Sequence, residues 1–379
     1  MQGMVVHLAL QHQSKIKMVN NKRVVVLLNL VLLLFLVGCK KQISTTEQGV
    51  IKKTRQITLN DSIDQVANIM EGLQSFENKG LLYGIDFRTQ RPFKISVKSG
   101  DVEFLSSKGR GPKELSLPAQ VTIKNDSVFY VYDTAQDIYA KFLNDEIIEK
   151  YPGLIEQGIW LRNTYGEIWK NQLVTGIVEP GRINSLNFDD ARALSIYDIK
   201  SGTTRLTAKL SPSIDKLDNA YKYPVIKLDK EAEVIYFVFS ADYSVMKYDL
   251  NNDSTSVFSS YLPSNIRIRS KAVSYNETPT PQTAKEFGLD LSLVVGLEII
   301  EDKLVVVWQN GTEKYYEKRG ASNELRDYFG VIYDLEGKVQ PKEINLPGKL
   351  LGSYENQLLI EESDDLDNYV IGFYNIVED

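Results

Sequence analysis

The chain has 379 residues, with 44 Lys plus Arg against 50 Asp plus Glu for a formal net charge of −6, and it holds two histidines and one cysteine. A diffuse acidic surplus opposes nucleic-acid binding, because phosphate contacts need clustered Lys and Arg. A single cysteine excludes an internal disulfide. Both histidines, His7 and His12, stand near the start, so the rest of the chain is without the imidazole that Ser–His–Asp, Cys–His and most zinc sites require.

The first element is an export signal. Val24–Val37 is an apolar run with one polar member, Asn29, preceded by Lys22 and Arg23. A basic stretch followed by an apolar one of this length reads as a signal peptide, since a lone spanning helix needs ~20 apolar residues. A start at Met18 would give a compact signal. The run ends in Leu36-Val37-Gly38-Cys39, which resembles the bacterial lipobox. That resemblance implies cleavage before Cys39 and lipidation of its thiol and new amine, giving a membrane anchor in which each buried methylene contributes ~0.8 kcal/mol. Lys40 follows where an aspartate would imply inner-membrane retention, which favours the outer membrane. The expected layout is a signal at 1–38, a lipidated tether at 39–53 and one domain at 54–379. Removing 1–38 takes away four basic residues and no acid, so the exported protein is more acidic still.

The domain reads as all-β and repetitive. Val128-Phe129-Tyr130-Val131-Tyr132-Asp133-Thr134-Ala135 is echoed 106 residues later by Val234-Ile235-Tyr236-Phe237-Val238-Phe239-Ser240-Ala241, and Lys141-Phe142 by Lys247-Tyr248. That offset is two blades of a propeller with ~40–50-residue repeats. A polar turn entering an apolar run occurs six times, after Glu77, Asn125, Lys170, Lys230, Glu301 and Glu355. A later strand ending in a turn also occurs six times, at 93–100, 140–145, 194–202, 245–253, 330–337 and 372–379. Four of these carry Tyr-Asp or Tyr-Asn: Tyr197-Asp198, Tyr248-Asp249, Tyr333-Asp334 and Tyr374-Asn375. Aromatic residues suit a pleated sheet and short polar ones suit a turn. Six interleaved signals predict a six-bladed β-propeller whose last blade lacks a strand, which residues 54–60 (around Arg55-Gln56-Ile57-Thr58-Leu59) would supply, closing the ring and hiding its edges.

The signal, the six blades and Gly109-Arg110-Gly111-Pro112-Lys113-Glu114-Leu115 together resemble the six-bladed β-propeller lipoproteins of Bacteroidetes, which often carry G-x-G-P-G-E-[FY] after their first blade. Lys113 and Leu115 depart from that pattern. The resemblance implies architecture and compartment; many such proteins have no known activity. The motif itself reads as a tight interblade turn, with positive φ available at Gly109 and Gly111 and Pro112 fixing its own.

Candidate ligand sites follow from loop length. In a propeller, the loops joining second to third strands and those joining blades emerge on one face. Residues 180–192, 262–290 and 309–328 are the longest such connections, and long loops on a rigid scaffold concentrate recognition residues. They bring Arg182, Asn184, Arg267, Arg269, Lys271, Tyr275, Tyr315, Tyr316, Lys318 and Arg319, a basic and aromatic group suited to an anionic or sugar ligand. Asp249, Asn251 and Asp253 space oxygens as calcium loops do, but Ser254 replaces the glycine; Asp364, Asp365 and Asp367 form a second acidic cluster at an expected hairpin tip. Trp160 and Trp169 are expected in the core. No cofactor is implied. The favoured reading is an envelope-anchored module that binds a glycan, peptide or protein partner; the alternative is a carboxylate-dependent glycoside hydrolase or lyase.

Overall fold

The computed structural model describes residues 50–59, 69–86, 88–125, 127–154, 166–177, 192–211, 224–240, 242–268, 281–317, 325–365 and 368–377. The first strand, β1 (Val50–Thr58), belongs to the last blade. Blade 1 is β2 (Ile69–Phe76), β3 (Leu81–Asp86), β4 (Arg91–Ser96) and β5 (Val102–Phe104). A short parallel pair, β6 (Ser107–Lys108) and β7 (Glu114–Leu115), precedes blade 2, which is β8 (Pro118–Asn125), β9 (Val128–Asp133), β10 (Ile138–Leu143) and β11 (Glu146–Pro152). Blade 3 is β12 (Gly166–Trp169), β13 (Gln172–Gly176), β14 (Arg192–Asp198) and β15 (Thr203–Lys209). Blade 4 is β16 (Pro224–Asp229), β17 (Val234–Phe239), β18 (Val245–Asp249) and β19 (Ser254–Ser259). Blade 5 is β20 (Ser292–Ile300), β21 (Lys303–Asn310), β22 (Asp327–Asp334) and β23 (Lys342–Leu346). Blade 6 is β24 (Lys349–Tyr354), β25 (Gln357–Asp365), β26 (Asn368–Val377) and, outermost, β1.

The protein is a six-bladed β-propeller. Each blade's first strand contacts the next blade's first strand, and β24 returns to β2. Among the described residues the buried apolar side chains form six clusters, each shared by two adjacent blades. One joins Phe76, Tyr83 and Ile85 to Phe129, Val131 and Phe142 across blades 1 and 2; another joins Tyr236 and Val238 to Val306, Trp308 and Tyr333 across blades 4 and 5. Second strands lie in the middle of this packing, and β17 is buried along its whole length. A strand covered on both faces has no polar side to present, hence its continuous apolar run. The 106-residue echo pairs β9 with β17 and β10 with β18, two blades apart.

Closure uses the N-terminal strand. β1 runs antiparallel to β26 with Ile57 opposite Ile371 and Val50 opposite Val377. Ile57 is buried with Ile69, Phe93 and Phe373, so it ties blade 6 to blade 1. The Arg55 guanidinium lies 4.0 Å from the centre of the Phe373 ring. The pairing reaches beyond the expected 54–60 on the N-terminal side: it runs from Val50, the first described residue, to Thr58, and the Leu59 amide donates to the Tyr369 carbonyl at 2.9 Å. Residues 50–53 look like tether because Lys52 and Lys53 are exposed, yet their backbone completes the edge and Lys53 Nζ reaches Glu362 Oε2 at 2.6 Å. At the same seam, a Cβ on Gly352 of β24 would lie 2.4 Å from the Leu73 carbonyl oxygen of β2, at a φ of +146°. Only glycine permits that approach.

All six polar turns join first to second strands. The Tyr-Asp pairs close third strands: the tyrosines are buried and each aspartate folds the turn after it. Asp198 Oδ1 accepts from the Lys200 and Ser201 amides at 3.0 and 2.9 Å, and Asp249 Oδ1 from those of Asn251 and Asn252 at 2.9 and 3.0 Å. Asp334 accepts from Glu336, Lys338 and Val339 at 3.0, 2.7 and 2.8 Å. These Asx turns occupy one face of the ring, the hairpin face. The opposite loop face carries the connections from second to third strands and from blade to blade. One tryptophan departs in part from expectation. Trp169 is half-buried at a hairpin, its Nε1 3.4 Å from Glu233 Oε1, whereas Trp308 is fully buried; Trp160 lies outside the described residues.

Two outcomes are expected. Deleting residues 54–60 exposes both edges of the seam and lowers the melting temperature by on the order of 10 °C in calorimetry; a parent-like value would place closure elsewhere. Backbone N–H donation holds Asp198, Asp249 and Asp334 below the usual aspartate range. The stability they contribute is therefore present above about pH 4 and lost as pH falls through their lowered values. The triple Asp→Asn variant retains the turns and should lose less stability on acidification, read as melting temperature against pH.

Candidate functional site

The loop face over blade 5 carries a compact cap made from two long connections. The helix Pro281–Asp290 begins with proline at its first turn, where the missing N–H costs nothing. It packs on the short helix Glu313–Glu317: the Tyr316 hydroxyl sits where a Cβ on Gly288 would be, and the Gly311 amide donates to the Gly288 carbonyl at 3.2 Å. Lys285 Nζ pairs with Glu313 Oε2.

Arg267 is the centre of this cap. Its Nη1 donates to the Leu289 and Gly311 carbonyls, both at 2.9 Å, and its amide donates to Ser292 Oγ at 2.8 Å. Segment 261–267 is fastened to β23, the outermost strand of blade 5, as well. Glu343 accepts from the Tyr261 hydroxyl and the Ser264 amide at 2.8 Å each; burial first, then the Glu343 hydrogen bond and charge, push the Tyr261 phenol up to about 12. Tyr315 lies under the Arg326 guanidinium, 4.1 Å from the ring centre, and its hydroxyl accepts from Arg326 Nη2, while Arg326 Nη1 donates to Gln309 Oε1 at 2.7 Å. Arg326 carries no local signature in sequence, being a lone arginine ahead of a strand.

Of the residues expected to contact ligand, Arg267, Tyr315 and Tyr316 are thus brought together, each half-buried and engaged within the cap. Arg182, Asn184, Arg269, Lys271, Tyr275, Lys318 and Arg319 lie outside the described residues. The exposed described positions on the two helices are Gln282, Glu286, Asp290, Glu313, Lys314 and Glu317, so the cap turns its arginines inward and mostly acids outward.

A second polar group sits in the central channel, toward its hairpin end. Gln74, Ile123, Glu167, Lys227, Glu298 and Ser353, one from each blade, line a cavity of about 160 Å³. Lys227 Nζ lies 2.7 Å from Glu298 Oε2 and 3.7 Å from Glu167 Oε1, with the lysine side chain 20 % exposed. Ser353 Oγ donates to Glu298 Oε2 at 2.8 Å. Blades 3, 4, 5 and 6 are thereby linked across the axis. Burial alone would lower the Lys227 ammonium, but the charges of Glu298 and Glu167 outweigh it and hold it above the usual lysine range. Burial pushes the Glu167 carboxyl up, against the pull of Lys227 and Lys230.

Two of the calcium candidates, Asp249 and Asp253, are otherwise engaged. Asp249 caps its turn, and Asp253 accepts from Thr207 Oγ1 at 2.8 Å and pairs with Arg205 at 3.0 Å; Asn251 lies in the same turn. The Asp364 and Asp365 backbones pair with Tyr369 and Asn368 at a hairpin end, and Asp367 lies outside the described residues. Among the described residues no group of three or more His, Cys, Asp or Glu is placed to hold a metal ion.

The Gly109–Leu115 motif does form an interblade turn, by a different route from the one expected. Neither glycine has positive φ. The chain instead wraps round the Glu114 carboxylate, which accepts from the Gly111 amide at 2.9 Å; a Cβ on Gly109 would lie 2.0 Å from Glu114 Oε2. Lys150 Nζ donates to the Gly111 and Glu114 carbonyls at 2.8 and 2.9 Å, and fully buried Asp133 accepts from the Leu117, Ala135 and Gln136 amides.

No family model and no curated protein matches the chain. Among solved structures it is similar to a member of the DUF4221 family from Bacteroides vulgatus, with 9 % identity, 88 % of this chain and 100 % of that one covered, and a TM-score of 0.64. It is also similar to a Bacteroides fragilis protein assigned as exported, with 11 % identity, 88 % and 98 % coverage and a TM-score of 0.57. At these identities the likeness establishes the shared propeller fold.

Lys227→Met leaves two carboxylates in the channel without their cation and should cost ~3–5 kcal/mol in denaturant unfolding. Replacing Glu167 and Glu298 by Gln in the same chain should recover most of that loss.

Proposed function

We propose that this protein is an exported, lipid-anchored binding module that presents its loop face to a glycan, peptide or envelope-protein partner beside blades 3 to 5. The observation that carries this reading is the cap. Two helices are assembled on the loop face by a dedicated arginine, on a segment whose Tyr261 and Ile266 pack against the core between blades 4 and 5. Surface loops held by a rigid scaffold are where recognition residues gather. The lipobox-like Leu36-Val37-Gly38-Cys39 supports the anchor, and among the described residues no helix is long and apolar enough to cross a membrane. The solved relative assigned as exported agrees with an envelope location. In this reading the channel carboxylates serve the ring, since both face Lys227.

Glycan- and peptide-array binding by residues 50–379 tests the proposal. Arg267→Ala frees the cap while leaving the ring cores intact, so it should abolish binding or weaken it by ~1–2 kcal/mol or more, with the main unfolding transition little changed. Binding untouched by Arg267→Ala would remove the cap from the site. Cys39→Ala should move the full chain out of the detergent phase; unchanged partitioning would overturn the anchor.

A further inference from the structure

The central channel holds more polar chemistry than the pairing of the blades uses. Lys227 closes on Glu298 at 2.7 Å, and Ser353 donates to the same carboxylate at 2.8 Å. Glu167 stands apart from that pair. Its Oε1 is 3.7 Å from Lys227 Nζ, and its hydrogen-bond donor from the backbone is the Leu228 amide. The residue is only 7 % exposed, and a carboxylate so far removed from water calls for a close counter-charge. Gln74 and Ser75 of blade 1 line the same cavity, and their side chains make no hydrogen bond among the described residues. Lys230 lines it from the exposed hairpin that follows β16. Among the described residues Lys230 forms no salt bridge, and its charge reaches Glu167 only at longer range.

We propose that this cavity binds a small free α-amino acid, entering from the hairpin face, with the guest's ammonium on Glu167 and its carboxylate on Lys230. The volume of about 160 Å³ is room for on the order of ten water positions at ~10–15 Å³ each, and so for a guest of a few heavy atoms. The lining sets the guest's charge. Two acids and two lysines meet in the cavity, so a guest of one sign leaves one end unmatched, whereas a zwitterion meets both. Lys227 and Lys230 are three residues apart, ~10 Å along the strand direction. The unpaired lysine is therefore at the mouth, and the under-matched acid lies at the depth of Lys227, which fixes the guest with its ammonium inward. A charge-assisted hydrogen bond is about twice as strong as a neutral one, and the flexible lysine stem lets the rim ammonium follow the guest's carboxylate. Leu73, Ile123 and Leu228 form the apolar part of the lining, which suits a short aliphatic side chain. Lys227 keeps Glu298 throughout, so the ring's own pairing stays in place.

Isothermal titration of the full chain with glycine, alanine and then the other protein amino acids tests the site, with methylammonium and acetate as single-charge probes. The expected result is saturable one-site binding of at least one amino acid, about ten-fold or more tighter than either single-charge probe. Glu167→Gln should bring that amino acid down to the affinity of acetate, and Lys230→Met to that of methylammonium. Lys230 is exposed, so its replacement leaves the fold intact, and a parent-like melting temperature marks its loss of binding as local. Absence of binding by every amino acid overturns the proposal. Acetate or methylammonium binding as tightly as the amino acid also overturns it, and makes the cavity a simple ion site. Amino-acid binding unchanged in both variants places the guest elsewhere and overturns it too.

Discussion

Each blade of this ring has apolar side chains on both faces, so neither face can be left in water. A four-stranded sheet of this kind is stable only between two others, and a finite stack satisfies that condition only by closing on itself. The sixth interface is therefore of a different kind from the other five: it is made when β1, from the start of the domain, pairs with β26 from its end and places Ile57 among Phe93, Ile371 and Phe373. Close passage of β24 by β2 at Gly352 completes it. Every other feature hangs on a ring held shut at that seam.

Closure divides the surface into two faces of unlike character. The hairpin face is built from short turns whose geometry is prescribed locally, by Asx capping at Asp198, Asp249 and Asp334 and by positive φ at residues such as Lys170, Glu301 and Glu355. Such turns leave little room for variation. The loop face has no such limit, and over blade 5 the extra chain forms the arginine-centred cap. In the channel Lys227 pairs with Glu167 and Glu298, so blades 3, 4 and 5 share one charge network at the axis, and Ser353 of blade 6 joins it by a hydrogen bond.

Within the cap, residue type and residue role separate. Arg267 and Tyr315 have the chemistry of ligand contacts, yet their donors and rings are directed at carbonyls and at Arg326. A half-buried guanidinium satisfied by two main-chain oxygens organises backbone, and the surface it supports is set by neighbouring positions. Glu114 acts in the same manner in the interblade motif, where the glycines yield space to a carboxylate.

The blade number, the hairpin positions, the Tyr-Asp turn caps and closure by the N-terminal strand were all legible in the sequence, because each rests on local rules: period-two burial, continuous apolar second strands, and short polar residues at turns. The pairing of residues 50–53 was not, since Lys52 and Lys53 look like tether until β26 supplies their backbone partners. The channel network was likewise invisible. Glu167, Lys227 and Glu298 are scattered over more than a hundred residues and acquire meaning only when three first strands meet at the axis. The inward turn of Arg267 and the space left for Glu114 were decided in the same way, by which carbonyl or carboxylate the fold brought within hydrogen-bond reach. Local sequence determines which strand or turn a residue joins; tertiary packing decides which distant group it must satisfy, because a half-buried charge takes whatever partner the fold delivers.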